Sequence, residues 1–116
     1  MASPTNETIR GIHVLLVKRV DTLSTQLGGT TDPSVAQGIV LEMEELVHRI
    51  NLLQKVMFAG ASAQLDLLVP AVEEADAELA DALEDVEKIA LFIKAAAKLL
   101  AKVDKVVDLA KTLVPA

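Results

Sequence analysis

The two histidines are the side chains in this sequence best suited to acid–base chemistry or metal binding near neutral pH. Glu45 and His48 have the Glu-x-x-His spacing with which some helical bundles hold a pair of iron ions. Such a bundle needs two copies of the motif and two further inward-facing glutamates, but this chain has one copy. On a helix, His48 projects opposite Leu46 and away from the apolar side, so a homodimer would not point two copies inward either. We therefore expect no metal ion and no other cofactor, and a metal-binding bundle is the weakest functional alternative.

The other histidine, His13, lies near the edge of an apolar stripe at helical spacing. One interpretation is a pH-sensitive group at an interface, because the ordinary pKa of histidine is close to physiological pH. The other is a half-buried side chain that makes one hydrogen bond. We favour this second, structural interpretation.

Carboxylates are crowded into residues 73–87, just before Lys88, a stretch that contains eight acids and no base: Glu73, Glu74, Asp76, Glu78, Asp81, Glu84, Asp85 and Glu87. Acid–base catalysis needs two acids held in a cleft with separated pKa values, whereas an acidic run on the polar side of a helix is usually solvated. No serine lies in a nucleophile motif, and the chain has no cysteine and no phosphate-binding glycine loop. The sequence therefore predicts a protein that is not an enzyme.

The composition predicts helices. Hydrophobic residues make up 52% of the 116 positions, yet only Phe58 and Phe92 are aromatic, and the apolar residues recur at helical spacing. A net charge of −6 argues against nucleic-acid binding, which needs a basic face. The sequence has no uncharged apolar run long enough to span a bilayer and no basic, apolar leader at its N-terminus. We expect one all-α domain over residues 1–116, soluble, unprocessed and cytoplasmic.

Two helices of about 25 residues are predicted first. Helix one covers about residues 4–27, from a Ser3-Pro4 start signal to Gly28-Gly29. Helix two covers about residues 33–59, with Thr31 or Asp32 as its cap and Pro33 in its first turn. Whether helix two ends at Gly60 or continues to Pro70 stays open, because Gly60-Ala61-Ser62 is a weak break.

The C-terminal half carries an unbroken heptad pattern. Apolar residues alternate at steps of three and four over fifteen positions, which we call the heptad seam: Leu65, Leu68, Val72, Ala75, Leu79, Ala82, Val86, Ile89, Ile93, Ala96, Leu100, Val103, Val107, Ala110 and Val114. No glycine and no further proline follow Pro70 within the seam. The pattern predicts a third helix over about residues 63–114, of about 45 residues when counted from a start or kink near Pro70.

The three predicted helices differ in length. At 1.5 Å per residue, helices one and two reach about 36–39 Å, whereas helix three reaches about 67 Å. Either the third segment folds back near residues 82–86 to give a four-helix bundle, or a second molecule covers the rest of the seam. The stretch from Ala80 to Val86 has no Gly, Pro or Asn to form a tight turn, so the uninterrupted helix is favoured. We expect an antiparallel bundle of two short helices and one long helix that self-associates.

Charge is distributed unevenly along the third segment. The acids listed above come first, and Lys88, Lys94, Lys98, Lys102, Lys105 and Lys111 follow with only Asp104 and Asp108 among them. One explanation is that acids at the start of a helix and bases at its end suit the helix dipole. The other is an antiparallel pair of these helices from two copies, crossing near Ala90–Ile93, in which Glu78 of one copy lies near Lys102 of the other.

The function predicted from these patterns is that of a non-enzymatic interaction protein, such as an adaptor, a small chaperone or an assembly subunit. It is expected to form a homo-oligomer through the heptad seam and its flank, and to offer a groove to a partner helix. The predicted self-association residues are Val86, Ile89, Phe92, Ile93, Leu99, Leu100, Val103 and Val107. A charge at Ile93 should break such an oligomer, because an unpaired charge is costly to bury.

A membrane-active protein is the main alternative. The segment from Ile89 to Leu113 combines a wide apolar face, small alanines and a lysine-rich polar side, which is also typical of a helix lying at a lipid surface. Asp104 near the apolar sector and the absence of Trp weaken this interpretation. Lipid binding or pore formation by this segment is therefore kept as the second hypothesis.

Overall fold

The computed structural model describes residues 5–85 and 88–115, and none of these residues forms a β-strand. Five α-helices follow one another: α1 (Glu7–Gly29), α2 (Pro33–Lys55), the single-turn α3 (Ala63–Asp66), α4 (Val69–Ala82) and α5 (Ile89–Lys111). A short 3₁₀ turn, Leu83–Asp85, follows α4. The predicted all-α helical bundle is confirmed, but the number and the lengths of the helices differ from the prediction.

The start of α1 is set by Asn6. Its side-chain oxygen accepts a hydrogen bond from the Ile9 amide at 3.1 Å, as an N-cap does. Its side-chain amide donates to the Ala59 carbonyl at 2.9 Å, so the same residue ties the start of α1 to the chain after α2. The predicted start signal at Ser3-Pro4 lies outside the described residues. At the other end, α1 includes Gly28 and Gly29 and stops there.

Helix α2 begins as predicted, with Asp32 accepting hydrogen bonds from the amides of Ser34 and Val35 and with Pro33 in the first turn. It ends at Lys55, earlier than either of the two ends considered. Ser62 caps α3 through the Leu65 amide, and α4 then begins at Val69 with Pro70 in its first turn. Pro70 therefore marks a helix start and does not kink a longer helix.

The prediction of a single long C-terminal helix is wrong. The sequence of this segment forms two helices, α4 and α5, which pack against each other as an antiparallel hairpin. Folding back lets α4 and α5 bury their apolar sides within one chain, and each buried large side chain contributes ~1.5–3 kcal/mol. This gain outweighs the missing turn residues, although no side-chain hydrogen bond caps the start of α5 at Lys88.

The two helical hairpins, α1–α2 and α4–α5, pack against each other with their first helices parallel and their second helices parallel. Contacts between Thr8 and Asp66 and between Arg19 and Asp76 show that α1 and the α3–α4 segment run parallel. The Arg49–Asp104 pair and the hydrogen bond from the Gly60 amide to the Leu113 carbonyl show that α2 and α5 also run parallel. The helices therefore form a ring in the order α1, α2, α5 and α4, of which the α1–α4 side has the fewest contacts.

The core runs along the centre of this ring in a body of 50 × 24 × 16 Å. Ile12, Leu16 and Leu23 of α1 face it, as do Ile39, Leu46 and Leu53 of α2. The α4 and α5 side chains in the core are Val72, Ala75, Leu79, Phe92, Ala96, Leu99, Val103, Val106, Val107 and Ala110. In α5 the fully buried side chains include Phe92, Leu99 and Val106 beside the heptad seam as well as Val103 and Ala110 within it, because this helix packs against both α2 and α4.

Candidate interaction surfaces

The predicted self-association residues are divided between the core and the surface. Phe92, Leu99, Val103 and Val107 are buried against helices of the same chain, and Ile89 and Leu100 are half-buried. Ile93 keeps 46% of its surface exposed, and Val86 lies outside the described residues. The length argument for self-association therefore fails, because α5 has 23 residues and is covered by its own chain. Association between copies itself stays a prediction.

The opposite charges of the C-terminal half face each other within one molecule. Nζ of Lys98 in α5 donates to both carboxylate oxygens of Glu78 in α4, at 2.9 Å each. The hydrogen bond to Glu78 and the nearby charges of Glu78 and Glu74 raise the pKa of Lys98 above its ordinary value. The antiparallel pairing of an acidic with a basic helix, expected between two copies, is thus present inside the α4–α5 hairpin.

The outer side of this hairpin has a groove of about 730 Å³, which we call the α4–α5 groove. Its α4 wall consists of Glu78, Asp81 and Ala82, and its α5 wall consists of Leu91, Lys94, Ala95 and Lys98. Leu91 is 57% exposed. The groove therefore has acids on one wall, lysines on the other and apolar surface between them.

A second groove, of about 390 Å³, lies between α1 and α4, and we call it the α1–α4 groove. Ile12 and Leu15 of α1 and Val69 and Val72 of α4 form its apolar part; Glu7, Thr8, Gly11 and Glu73 complete the lining. A third groove of about 380 Å³, on the outer side of the α1–α2 hairpin, is lined by Leu27, Val40, Met43, Glu44 and Val47. All three grooves lie between pairs of helices.

Two arginines join the hairpins to each other. Arg19 is buried and pairs with Asp76 through two parallel hydrogen bonds of 2.7 and 3.0 Å. Arg49 makes the same two-pronged contact with Asp104, at 2.9 and 3.1 Å, and also binds Glu45 at 2.6 Å. Burial alone would lower the pKa of Arg49, but the hydrogen bonds to Asp104 and Glu45 outweigh it and raise the pKa. Both arginines serve structure in this fold.

Two polar atoms are buried without a hydrogen-bond partner among the described residues: Nε2 of His13 and Oε2 of Glu42. Burial, and next the neighbouring charge of Glu45, raise the pKa of Glu42, while Arg49 partly offsets them. His13 is half-buried as predicted, although Nε2 lacks the expected hydrogen bond. Both residues belong to long helices, α1 and α2, and neither lines any of the three grooves.

The two residues of the Glu-x-x-His motif do not face each other across a metal site. His48 is exposed, and Glu45 binds Arg49 on the same helix. Within residues 5–85 and 88–115, no three His, Cys, Asp or Glu side chains are close enough together to hold a metal ion. Among the helices in those ranges, none has both the length and the hydropathy to cross a bilayer.

The arginine pairs and the grooves were missed by the sequence analysis. The sequence carries a signal for Arg19, because this residue falls on the line of Ile12, Leu16 and Leu23 at a position that is expected to be apolar. The grooves gave no such signal, since each depends on which helices become neighbours. Comparison of the chain with protein-family models, curated proteins and solved structures finds no match.

Proposed function

We propose that this protein is a small, non-enzymatic helical interaction protein that forms a two-fold symmetric dimer through the α4–α5 groove. The observation that carries the proposal is the arrangement of charge, with acids along one wall of an apolar groove and lysines along the other. Such a surface is complementary to a second copy of itself. Charge complementarity of this kind favours one partner and one orientation over others.

The charged residues of the two walls lie at matching positions along the helix axes. The Glu78–Lys98 contact fixes the alignment of the antiparallel helices. Lys94 precedes Lys98 by one turn, about 6 Å, which brings it level with Ala82 and next to Asp81 on α4. Each acid of one wall therefore has a lysine at nearly the same height on the other.

This matching selects one symmetry. A two-fold axis parallel to the helices places α4 of each copy over α5 of the other, so that Glu78 and Asp81 meet the partner's lysines. A two-fold axis across the helices would instead place acid against acid and lysine against lysine, which is unfavourable. An ammonium has three donors and a carboxylate about four acceptor sites, so Lys98 can bind its own Glu78 and a partner carboxylate together.

The expected dimer is weak. The hairpin face is about 21 Å long at the length of α4 and about 20 Å wide for two helices, so it covers about 400 Å² per copy. That is at the low end for specific interfaces, where association is weak and transient. Leu91 and the small Ala82 and Ala95 provide close apolar contact, while the charged pairs are screened by salt. We expect micromolar association that weakens at high ionic strength.

Charge reversal tests this dimer. Replacing Lys94 and Lys98 by Glu makes both walls acidic, and replacing Glu78 and Asp81 by Lys makes both walls basic; each variant should be monomeric because like charges then face each other. A mixture of the two variants should form a heterodimer, and the variant carrying all four changes should dimerise again. Sedimentation velocity at low salt measures each case, with circular dichroism as the check on folding.

A leucine pair supplies a matched control. Leu91→Ala should weaken the dimer several-fold, because it removes the main exposed apolar contact of the groove. Leu41→Ala, which alters a leucine on α2 that is 53% exposed, should have no effect. A dimer that survives charge reversal but is lost in an Ile93→Asp variant would contradict the α4–α5 groove and favour the predicted residue Ile93, and loss of the dimer in Leu41→Ala would place the interface on α2. A protein that stays monomeric at millimolar concentration would contradict self-association altogether.

A further inference from the structure

The α1–α4 groove lies where two neighbouring helices of the ring make the fewest contacts. It is bounded along its length by two polar contacts: Thr8 with Asp66 at one end, and Arg19 with Asp76 at the other. Thr8 and Arg19 are eleven residues apart on α1, so the space between these contacts is about 16 Å long. That length matches about three turns of a helix.

The floor of this groove is apolar and only partly covered. Ile12 and Val72 are buried at its base, while Leu15 and Val69 are half-buried and reach its sides. Gly11 lies on the α1 wall, where a side chain would meet no other atom within 4 Å. The space above Gly11 is therefore open, and a partner's apolar side chain can enter it without displacing anything.

The rim of the groove is acidic. Glu7 on α1 and Glu73 on α4 line opposite walls, and both are exposed. Arg19, the basic residue at the end of the groove, already pairs with Asp76. Arg10 lies on another side of α1 by helical spacing, whereas Lys18 lies on the same side as Gly11, two turns further along, outside the lining and next to Arg19 at the end of the groove. An occupant of this groove therefore meets apolar surface flanked by negative charge.

We infer that the α1–α4 groove binds a cationic amphipathic helix of a partner protein, about three turns long. Its apolar side chains, at helical spacing, would lie between Leu15 and Val69 and over Gly11, and its Lys or Arg side chains would pair with Glu7 and Glu73. Helix-in-groove recognition uses this division between apolar anchors and flanking charge. The site is separate from the α4–α5 groove, so it does not depend on dimerisation.

Binding of synthetic helical peptides tests the inference. The probe is a peptide of about twelve residues with leucine at helical spacing and lysine elsewhere, and its partner probe carries glutamate in place of lysine. The lysine peptide should bind the full chain with a dissociation constant in the micromolar range, as measured by fluorescence anisotropy. The glutamate peptide should bind at least tenfold more weakly.

The Gly11→Leu variant should fill the groove and weaken binding of the lysine peptide at least tenfold. The Gly28→Leu variant places the same side chain at an open position outside the groove and should bind normally. Changing Glu7 and Glu73 together to Gln should weaken binding several-fold and reduce its dependence on salt. The Leu91→Ala variant, which weakens the proposed dimer without changing the charge of the chain, should bind the peptide as the unchanged chain does.

Three peptide-binding results would each overturn the inference: no binding of the lysine peptide at millimolar concentration, equal binding by the Gly11→Leu variant, or equal binding of the glutamate peptide. If Gly11→Leu abolishes self-association in the absence of any peptide, the occupant is a second copy and the proposed partner is wrong. Circular dichroism shows whether each variant is folded, and Gly11→Ala, which adds only a methyl group, serves as the milder variant if Gly11→Leu does not fold.

Discussion

Arg19 shows how much one residue can contribute to the arrangement of helices. It occupies a position on α1 that its neighbours Leu16 and Leu23 would lead one to expect to be apolar. The buried guanidinium needs a partner, because an unpaired buried charge is strongly destabilising. Asp76 supplies that partner from α4 and so fixes which turn of α4 lies beside which turn of α1. The pairing could not be predicted from the sequence, since seven other acids nearby are equally eligible until the hairpin forms.

Glu42 is a residue whose charge costs stability at neutral pH. Its pKa is raised in the folded chain, chiefly by burial, so the fold holds the Glu42 proton more tightly than the unfolded chain does. The stabilising effect of that proton is complete below the ordinary pKa of Glu and is lost as the pH rises through the raised value. The charged carboxylate therefore opposes folding at pH 7, with Arg49 and Glu45 as the charges around it.

Glu42→Gln should accordingly stabilise the protein at pH 7, by about 1 kcal/mol or less because the side chain is only partly buried. The gain should shrink as the pH falls towards 4 and vanish below it. Urea denaturation of both proteins across this pH range measures the difference. Glu44→Gln, on an exposed neighbour, should change stability little at any pH, and a Glu42 effect that grew towards low pH would refute the assignment.

At the scale of elements, most helices could be predicted from the sequence because local signals agree with the packing. Asp32 and Pro33 predict the start of α2, and apolar stripes at helical spacing identify the buried sides of α1 and α2. The boundary between α4 and α5 could not be predicted in the same way. Leu83, Glu84 and Asp85 form a 3₁₀ turn although none is Gly, Pro or Asn, because the gain comes from α5 packing on α4 and α2.

The burial of Phe92 and the exposure of its neighbour Ile93 in α5 give a prediction at this scale. Phe92→Ala should destabilise the fold by about 3–5 kcal/mol, because the side chain is fully buried, and Phe92→Leu should cost about 1 kcal/mol. Ile93→Ala, at the next position and 46% exposed, should cost less than about 1 kcal/mol. Chemical denaturation distinguishes this order from that of the heptad seam, in which Ile93 would be the more costly of the two.

At the scale of the whole molecule, the fold is elongated. Its radius of gyration of 15.0 Å exceeds the roughly 13 Å expected of a compact chain of this length. The two predicted helices of about 25 residues agree with this elongated shape, since α1 and α2 have 23 residues each and span about 35 Å, whereas the prediction of a helix of about 45 residues from the heptad seam is wrong. The sequence did not predict the grooves or their charges, because these require the ring order of four helices and no local pattern encodes that order.

Small-angle scattering provides a whole-molecule test of the proposed dimer. Side-by-side stacking through the α4–α5 groove places the centres of the two bodies about 20 Å apart, perpendicular to the helices, which should raise the radius of gyration to about 18 Å as concentration increases. The longest dimension should stay close to 50 Å. End-to-end association would instead nearly double that length, and such a result would contradict the proposed face.

The shared orientation of the two hairpins determines what the proposed dimer can present to its surroundings. Because α1 lies beside α4 and α2 beside α5, a two-fold axis along the helices places the two α1–α4 grooves on opposite flanks, running in the same direction. A single bound helix reaches only one flank, so chelation would require a ligand with two helices and a linker long enough to pass around the dimer. The dimer would tether two ligands in parallel, and a ligand with repeated binding motifs would be cross-linked into a network.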